Sequence, residues 1–165
     1  MDLLRANVGG NRLDWVELRE VALAEAPGRL TMRVFEPGSG HSSFAPPSDD
    51  GSAEIDVQVT TLDEIAENLG RRVSLVKLDV EGAELRALRG AGGVLAESRP
   101  DFILELEPDH LARQGCSIAE LQALFDDAGY VGYSILEGLE RLRRPWTRPP
   151  RDPNIVVRPQ ERADA

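Results

Sequence analysis

Residues 73–91 have the sequence VSLVKLDVEGAELRALRGA, in which a strand pattern changes into a helix pattern. Residues 73–80 form an apolar, β-branched run that is too short for a lone helix, which predicts a strand buried on both faces. Residues 82–89 carry leucines three apart and are followed by glycine, which predicts a short helix. Asp79 and Glu81 stand at the turn between the two elements. Since ligands bind outside the carboxyl ends of the strands in an open α/β sheet, this turn is the first candidate site.

The chain before this strand predicts a helix tail, three strands and one further helix. Thr60 or Thr61, followed by acidic residues, is typical of the cap of a helix that continues to Leu69. Residues 36–52 are rich in Gly, Pro and Ser and nearly free of apolar side chains, so a long loop is expected there. The helix tail and the three alternating strands are expected at residues 2–8, 15–23, 30–35 and 55–59.

The chain after the central helix predicts another buried strand, a capped helix and two closing strands. Residues 102–106, FILEL, form a second apolar run that ends in carboxylates. Ser117, with Glu120 three residues on, is the capping-box signal of a helix that ends at Gly129. The closing strands, an exposed Arg- and Pro-rich hairpin between them and a flexible tail are expected at residues 130–136, 155–157, 141–153 and 159–165.

This order of elements predicts an α/β fold in a single domain that spans residues 1–165. Alternating strands and helices in the middle of the chain favour a mostly parallel sheet. Two final strands with no helix between them favour an antiparallel C-terminal edge. A chain of 165 residues is long enough to bury one hydrophobic core.

Composition excludes several classes of function. The formal net charge is −10, from 29 acidic and 19 basic residues, which argues against a broad nucleic-acid-binding face. The single cysteine, Cys116, cannot form an internal disulfide, so a reducing cytoplasm is expected. No apolar stretch approaches the roughly 18 to 20 residues that a membrane span needs. We therefore expect neither nucleic acid nor a membrane as a partner.

Carboxylates at the ends of two strands are the main candidates for chemistry. Asp79 and Glu81 follow the central strand, and Glu105 ends the next strand. Such a cluster suits a general base, a set of acceptors for a polar or cationic ligand, or hard-oxygen metal ligation. Two structural explanations compete with these roles: the dipole of the following helix favours an acidic residue such as Glu81, and Lys77 could pair with Asp79.

Other polar residues give weaker signals. Ser42 and Ser43, next to His41 in the long loop, could meet a substrate, although a solvated loop of small polar residues is the more common outcome. His110 has no partner at metal-ligand spacing. The motifs GxSxG, GxxxxGK[ST] and GxGxxG do not occur, so the sequence carries no familiar esterase, phosphate or dinucleotide signature.

The central run and its surroundings nevertheless resemble one known family. LVKLDVEGAELRALRGA, followed by SRPDFILELE, is similar to the FkbM-type S-adenosylmethionine-dependent methyltransferases, in which a strand ending in Lys-Ile/Leu-Asp-Val/Thr-Glu-Gly-x-Glu is the most recognisable feature. The similarity extends in register to LRANVGGN, VALAEAPGRL, SGHSSF, VQVTTLDEI and DPNIVVRP, and so covers nearly the whole chain.

The resemblance implies a class I methyltransferase-like, Rossmann-like sheet with S-adenosylmethionine over the carboxyl ends of its strands. It implies methyl transfer, most often to a hydroxyl oxygen, here of a small molecule or glycan. Asp79 would lie near the methionine end of the cofactor and the acceptor, as base or orienting acceptor, with Glu81 beside it. Ala22 would line the adenine pocket, and Glu105 would border the substrate.

The chain departs from the family pattern at its start. The family's glycine-rich first motif, and the acidic residue that takes the cofactor ribose, should precede LRANVGGN, so the first two strand–helix units are expected to be missing. Two readings therefore remain beside an active methyltransferase. One is a catalytically inactive truncated remnant, or a fragment that needs another chain or a homo-oligomer. The other is a magnesium-dependent hydrolase built on Asp79, Glu81 and Glu105.

Overall fold

The computed structural model describes residues 1–34, 42–43, 53–136, 138–149 and 152–163. Strands and helices alternate through the middle of the chain, and a short π-helical segment, Val94–Ser98, leads into the second half. The strands are β1 Ala22–Leu23, β2 Gly28–Val34, β3 Ser42–Ser43, β4 Ala53–Thr60, β5 Leu75–Leu78, β6 Asp101–Glu105, β7 Tyr130–Ser134, β8 Glu140–Arg141 and β9 Asn154–Pro159. The helices are α1 Asp2–Gly10, α2 Leu62–Leu69, α3 Glu84–Arg89, α4 Pro108–Arg113, α5 Ile118–Asp127 and α6 Gln160–Ala163.

The strands form two sheets, with the orders β1-β4-β2-β3 and β5-β6-β9-β7-β8. Among the described strands, β1 pairs with β4 and β5 with β6 in parallel, whereas the other five pairings are antiparallel. The architecture is mixed α/β, and the expectation of a mostly parallel sheet is not confirmed. The reason lies in the strand order, because β2 pairs antiparallel with β4, and β9 lies between β6 and β7 and runs antiparallel to both. The expected antiparallel C-terminal edge is present.

The core of the five-stranded sheet is built by aromatic and leucine side chains from β6, α3, α5 and β7. The ring of Phe102 lies 5.3 Å from that of Phe125 and 5.7 Å from that of Tyr130, in edge-to-face arrangements. Leu85 and Leu88 of α3 are each 1% exposed, as the leucine spacing predicted. This core fixes the position of β5 and α3, and with them the turn that joins them.

Burial on both faces of the central strand is a wrong prediction. In β5, Val76 and Leu78 are buried, but Leu75 is 55% exposed and Lys77 lies on the same exposed side. The strand stands at the end of the sheet order, next to β6 alone, and α3 covers only one of its faces. An apolar run therefore did not guarantee two covered faces, because burial depends on neighbours that the run itself does not encode.

Two other expectations in the chain are also corrected. Only Ala22–Leu23 of the expected strand at residues 15–23 is a strand, and Trp15 is 79% exposed, because neither face of the alternation was fully apolar. In the expected exposed hairpin, Trp146 is 4% exposed and its ring lies 6.1 Å from that of Phe125. Its backbone N–H donates to Gln122 Oε1 at 2.7 Å, so this segment is anchored on α5.

The helix caps follow the sequence closely. Thr61 caps α2 in a complete capping box, with its side chain accepting from the Glu64 N–H at 3.1 Å, and Ser117 accepts from the Glu120 N–H at the start of α5. Residues 160–163, expected within a flexible tail, form α6, where Glu161 accepts from Arg99 Nε at 2.6 Å. In the described part of the chain, no helix has the length and apolar character required to cross a bilayer.

Candidate active site at the ends of strands β5 and β6

The carboxyl ends of β5 and β6 meet at one edge of the five-stranded sheet. The two strands are parallel neighbours, with Leu78 opposite Leu104, so the residues that follow in each strand lie side by side. Asp79 follows β5 and Glu105 ends β6. The structure therefore brings together the carboxylates that the sequence placed at two separate strand ends.

The turn between β5 and α3 has an unusual backbone, which directs Glu81 toward helix α4. Glu81 has a φ of 51° and Gly82 a φ of 96°, both in the region that favours glycine. A Cβ on Gly82 would lie 2.2 Å from the His110 carbonyl oxygen, so the turn packs directly on the backbone of α4. A glycine is required at this position for the two elements to approach so closely.

Glu84 holds this turn from inside the protein. Its side chain is 2% exposed, and its Oε1 accepts from the N–H groups of Val80 at 3.3 Å and Gly82 at 3.4 Å. Its Oε2 is buried and has no hydrogen-bond partner within the described residues. Burial raises the pKa of Glu84, and the nearby charge of Glu105 raises it further, although the backbone N–H groups act in the opposite direction.

His110 lies between two of the carboxylates. Its Nδ1 is 3.1 Å from Glu81 Oε2 and 3.9 Å from Glu105 Oε2, and the side chains of all three residues are 23–25% exposed. The Nδ1 atom itself is buried and makes no aligned hydrogen bond to any described residue. We call these three residues, Glu81, Glu105 and His110, the histidine–carboxylate cluster.

The electrostatics of Glu105 reflect this crowding. Burial raises the pKa of Glu105, the negative charge of Asp79 raises it further, and His110 acts in the opposite direction. Glu81 and Glu107 add smaller contributions that also raise the pKa. The charges at the two strand ends therefore act together on Glu105.

Asp79 has a simpler environment than the sequence suggested. Its side chain is 51% exposed, and Lys77 Nζ donates to its Oδ2 at 2.8 Å. This is the pairing that would explain Asp79 without a function, and an exposed ion pair of this kind contributes little to stability. Asp79 stays accessible to a ligand, but the lysine must be displaced or shared.

The other predicted site residues either lie outside this cluster of carboxylates or have side chains that the structure does not describe. Ala22 is half-buried in β1, opposite Val59 of β4. The residues just after it contact the far end of α3, since Glu25 accepts from Arg86 Nε at 3.3 Å and a Cβ on Gly90 would lie 2.2 Å from the Ala24 carbonyl oxygen. Ser42 and Ser43 form β3 beside β2, with side chains outside the described part, and His41 also falls outside it.

His110 is the residue that sequence reasoning missed. No metal-ligand partner stands near it along the chain, because its neighbours Glu81 and Glu105 come from two different strand ends. A usable signal was present, because His110 follows Glu105 by five residues and Pro108 begins a helix just after the strand. A histidine in the first turn after a parallel strand shares the edge at which ligands bind.

Within the described residues, no group of three or more His, Cys, Asp or Glu side chains is arranged to hold a metal ion.

A cleft of about 350 Å³ lies between α2 and the π-helical segment, at the opposite end of β5 from the carboxylates. At its rim Asp63 accepts from the N–H groups of Gly93 and Val94, at 2.9 and 2.8 Å. These bonds join α2 to the following segment, which gives the cleft a structural explanation. It shares no residue with the histidine–carboxylate cluster.

Comparison with known proteins gives one result. A family model described as the methyltransferase FkbM domain matches residues 8–131, which include both strand ends and His110. No curated protein and no solved structure matches the chain significantly.

Proposed function

The chain belongs to the methyltransferase FkbM family, and from this membership we propose that it is an S-adenosylmethionine-dependent methyltransferase acting on a hydroxyl oxygen of a small molecule or glycan. The observation that supports a site for this reaction is the meeting of Asp79, Glu81 and Glu105 at one sheet edge. We further propose a single methyltransferase domain over residues 1–165 with a Rossmann-like arrangement around this edge.

The carboxylates at the strand ends fit the positively charged groups of the cofactor. S-adenosylmethionine, when bound, supplies a methyl group on a positively charged sulfonium beside an ammonium group. Carboxylates attract both charges, and Asp79, being 51% exposed at the side chain, is accessible to them. In this proposal Asp79 and Glu81 hold the methionine end of the cofactor, and Ala22 lines the adenine pocket.

The acceptor lies on the β6 side in this proposal, where Glu105 borders it, with Ser42 and Ser43 as further contacts. Placement of the hydroxyl oxygen in line with the methyl group, together with removal of its proton, supplies most of the rate enhancement of such a transfer. A small polar molecule or glycan suits an edge formed by carboxylates, because hydroxyl groups donate hydrogen bonds to them.

We also make three proposals on the partners and the localisation of the protein. The net charge of −10 argues against nucleic acid as a partner. The single cysteine favours the reducing cytoplasm, without membrane attachment. Homo-oligomer formation is the remaining partner proposal.

A second candidate follows from the exposed side of β5. Leu75 is 55% exposed, and β5 stands at the end of its sheet. An uncovered strand edge with an apolar side chain is a place where another segment or chain can pair. In this alternative the chain is inactive alone and acts as part of an assembly, which size-exclusion chromatography with light scattering distinguishes from a monomer.

Titration calorimetry with S-adenosylmethionine and S-adenosylhomocysteine tests the proposed function. We expect saturable binding of both, weakened about tenfold or more in Asp79→Asn, since one charge-assisted contact contributes roughly 1.5–3 kcal/mol. Asp127→Asn is the matched control, because Asp127 is an exposed residue of α5. No saturable heat with either compound would contradict the methyltransferase proposal.

A further inference from the structure

We propose that His110 accepts the proton of the acceptor hydroxyl and that Glu81 positions it, an inference that rests on the proposed function. The histidine ring lies at the sheet edge formed by β5 and β6, with Nδ1 3.1 Å from Glu81 Oε2.

The position of Glu81 determines which ring nitrogen is free. We take Nδ1 as the protonated nitrogen, because a carboxylate oxygen 3.1 Å away stabilises an N–H there electrostatically, although the two groups are not aligned as a hydrogen bond. The lone pair then lies on Nε2. Since Nδ1 is buried and 23% of the side chain is exposed, the accessible surface belongs to the other atoms of the side chain. Glu81 thereby plays the part of an orienting carboxylate, as in other histidine bases held by an acidic residue.

His110 is better placed for this task than Asp79. The Asp79 carboxylate accepts from the Lys77 ammonium at 2.8 Å, so a hydroxyl group would compete with the lysine for the same oxygen. A neutral imidazole offers one unprotonated ring nitrogen as an acceptor, and histidine is the side chain used most often as a general base. Asp79 can therefore bind cationic groups while a different residue takes the proton.

Buried Glu84 is a second and independent feature of the same turn. It is 2% exposed, its Oε1 accepts from the N–H groups on both sides of Glu81, and its Oε2 has no hydrogen-bond partner among the described residues. A carboxyl group left partly unsatisfied in the interior is costly, and such costs are typical of sites that hold a functional geometry. Glu84 fixes the turn, the turn directs Glu81, and Glu81 faces His110.

The chemical step balances with these groups. The oxygen–hydrogen bond of the acceptor breaks and its proton passes to His110 Nε2. The hydroxyl oxygen forms a bond to the methyl carbon, while the carbon–sulfur bond breaks and its electron pair stays on sulfur. The products are a methyl ether, a neutral thioether and a protonated imidazole, which returns its proton to solvent.

The first readout is chemical and needs no turnover. Diethyl pyrocarbonate acylates accessible imidazole, and peptide mass mapping reports the reaction at His110. Saturating S-adenosylhomocysteine is expected to slow this acylation about fivefold or more, because the ligand would occupy the edge beside the ring. Equal rates with and without S-adenosylhomocysteine, in a protein that binds it, would overturn the inference.

The second readout is transfer of a labelled methyl group from S-adenosylmethionine to methyl glucoside, used as the hydroxyl probe. His110→Gln is expected to lower the single-turnover rate about 100-fold, and Glu81→Gln by about tenfold. His110→Gln should bind S-adenosylhomocysteine within about threefold of the wild-type affinity, and Asp127→Asn should match the wild type in both assays. The transfer rate of Glu81→Gln is measured at saturating S-adenosylmethionine, because Glu81 also holds the methionine end of the cofactor. Circular dichroism establishes that the variants are folded.

The outcomes of these experiments distinguish the proposed function from the proposed role of His110. Absence of S-adenosylhomocysteine binding by the wild type contradicts the proposed function itself. If the wild type binds the ligand but transfers the methyl group no faster than His110→Gln, the proposed role of His110 is wrong. The proposed function is not affected by that result. A folded His110→Gln that loses the ligand would also overturn the proposed role of His110, because the residue would then be a cofactor contact.

Discussion

Gly82 is the residue on which the shape of the site depends most. Its φ is 96°, and a Cβ there would lie 2.2 Å from the His110 carbonyl oxygen. Gly115 also has a positive φ, 70°, but a Cβ there would meet no atom within 4 Å. The two glycines therefore separate the cost of backbone strain from the cost of a steric clash.

Alanine at these two positions gives the first prediction. We expect Gly115→Ala to lower the free energy of unfolding by about 1 kcal/mol, the cost of the left-handed backbone alone. Gly82→Ala should cost roughly 2–4 kcal/mol, because the clash with α4 adds to that strain. Urea denaturation followed by circular dichroism measures both, and equal losses would show that α3 and α4 do not pack as described.

Glu84 gives a prediction with a defined pH dependence. Burial raises its pKa from the ordinary value of 4.5, so the native state binds this proton more tightly than the unfolded state. The stability that Glu84 contributes is then fully present below pH about 4 and is lost as pH rises through the native pKa. Glu84→Gln keeps an acceptor oxygen for the turn and carries no charge.

We therefore expect Glu84→Gln to gain stability relative to the wild type as pH rises from about 4 to 8. The measurement is urea denaturation at several pH values across this range. If the free energy of unfolding of the wild type instead rose relative to that of Glu84→Gln with increasing pH, the folded protein would stabilise the Glu84 carboxylate. That result would contradict the effect of its burial.

The candidate site was predictable from the sequence only in part. Asp79 and Glu105 could be placed together because the ends of parallel strands align whatever the side chains are. The Lys77 partner of Asp79 was also foreseeable, since residues two apart in a strand share a face. His110 could not be placed, because its distance from Glu81 depends on how closely α4 approaches the turn.

At the scale of helices and strands, features set by residues close in sequence were predictable, whereas burial against elements distant in sequence was not. The caps at Thr61 and Ser117 are where the sequence placed them, because capping involves groups three residues apart. The exposure of Leu75 and the burial of Trp146 were not foreseen, because each depends on an element distant in sequence. Trp146, for example, reaches the core through α5.

The two tryptophans test this distinction between local and long-range signals. Trp146→Ala removes a ring that is 4% exposed and packs on Phe125, and we expect it to cost about 3–5 kcal/mol of unfolding free energy. Trp15→Ala is the control, because Trp15 is 79% exposed and should change stability by no more than about 0.5 kcal/mol. Denaturant titration followed by circular dichroism measures both variants, and a Trp146→Ala protein as stable as the control would contradict the anchoring of its segment on α5.

At the scale of the whole molecule, the two sheets meet through α3. Its N-terminal end carries the turn of the histidine–carboxylate cluster, and its C-terminal end contacts the segment after β1 through Arg86, Glu25 and the close approach of Gly90 to Ala24. Helix α3 thus contacts elements of both sheets. The family pattern indicated α/β architecture, but it did not indicate that most of the described strand pairings are antiparallel.

We propose that S-adenosylmethionine binds at the carboxyl ends of β5 and β6. Amide NMR of the ¹⁵N-labelled protein during titration with S-adenosylhomocysteine tests it most directly, because one experiment reports both binding and location. We expect saturable shifts that are largest at Asp79–Gly82 and at Glu105–His110. Absence of saturable shifts, or shifts centred on the cleft that Arg71 and Glu97 line, would contradict this proposal.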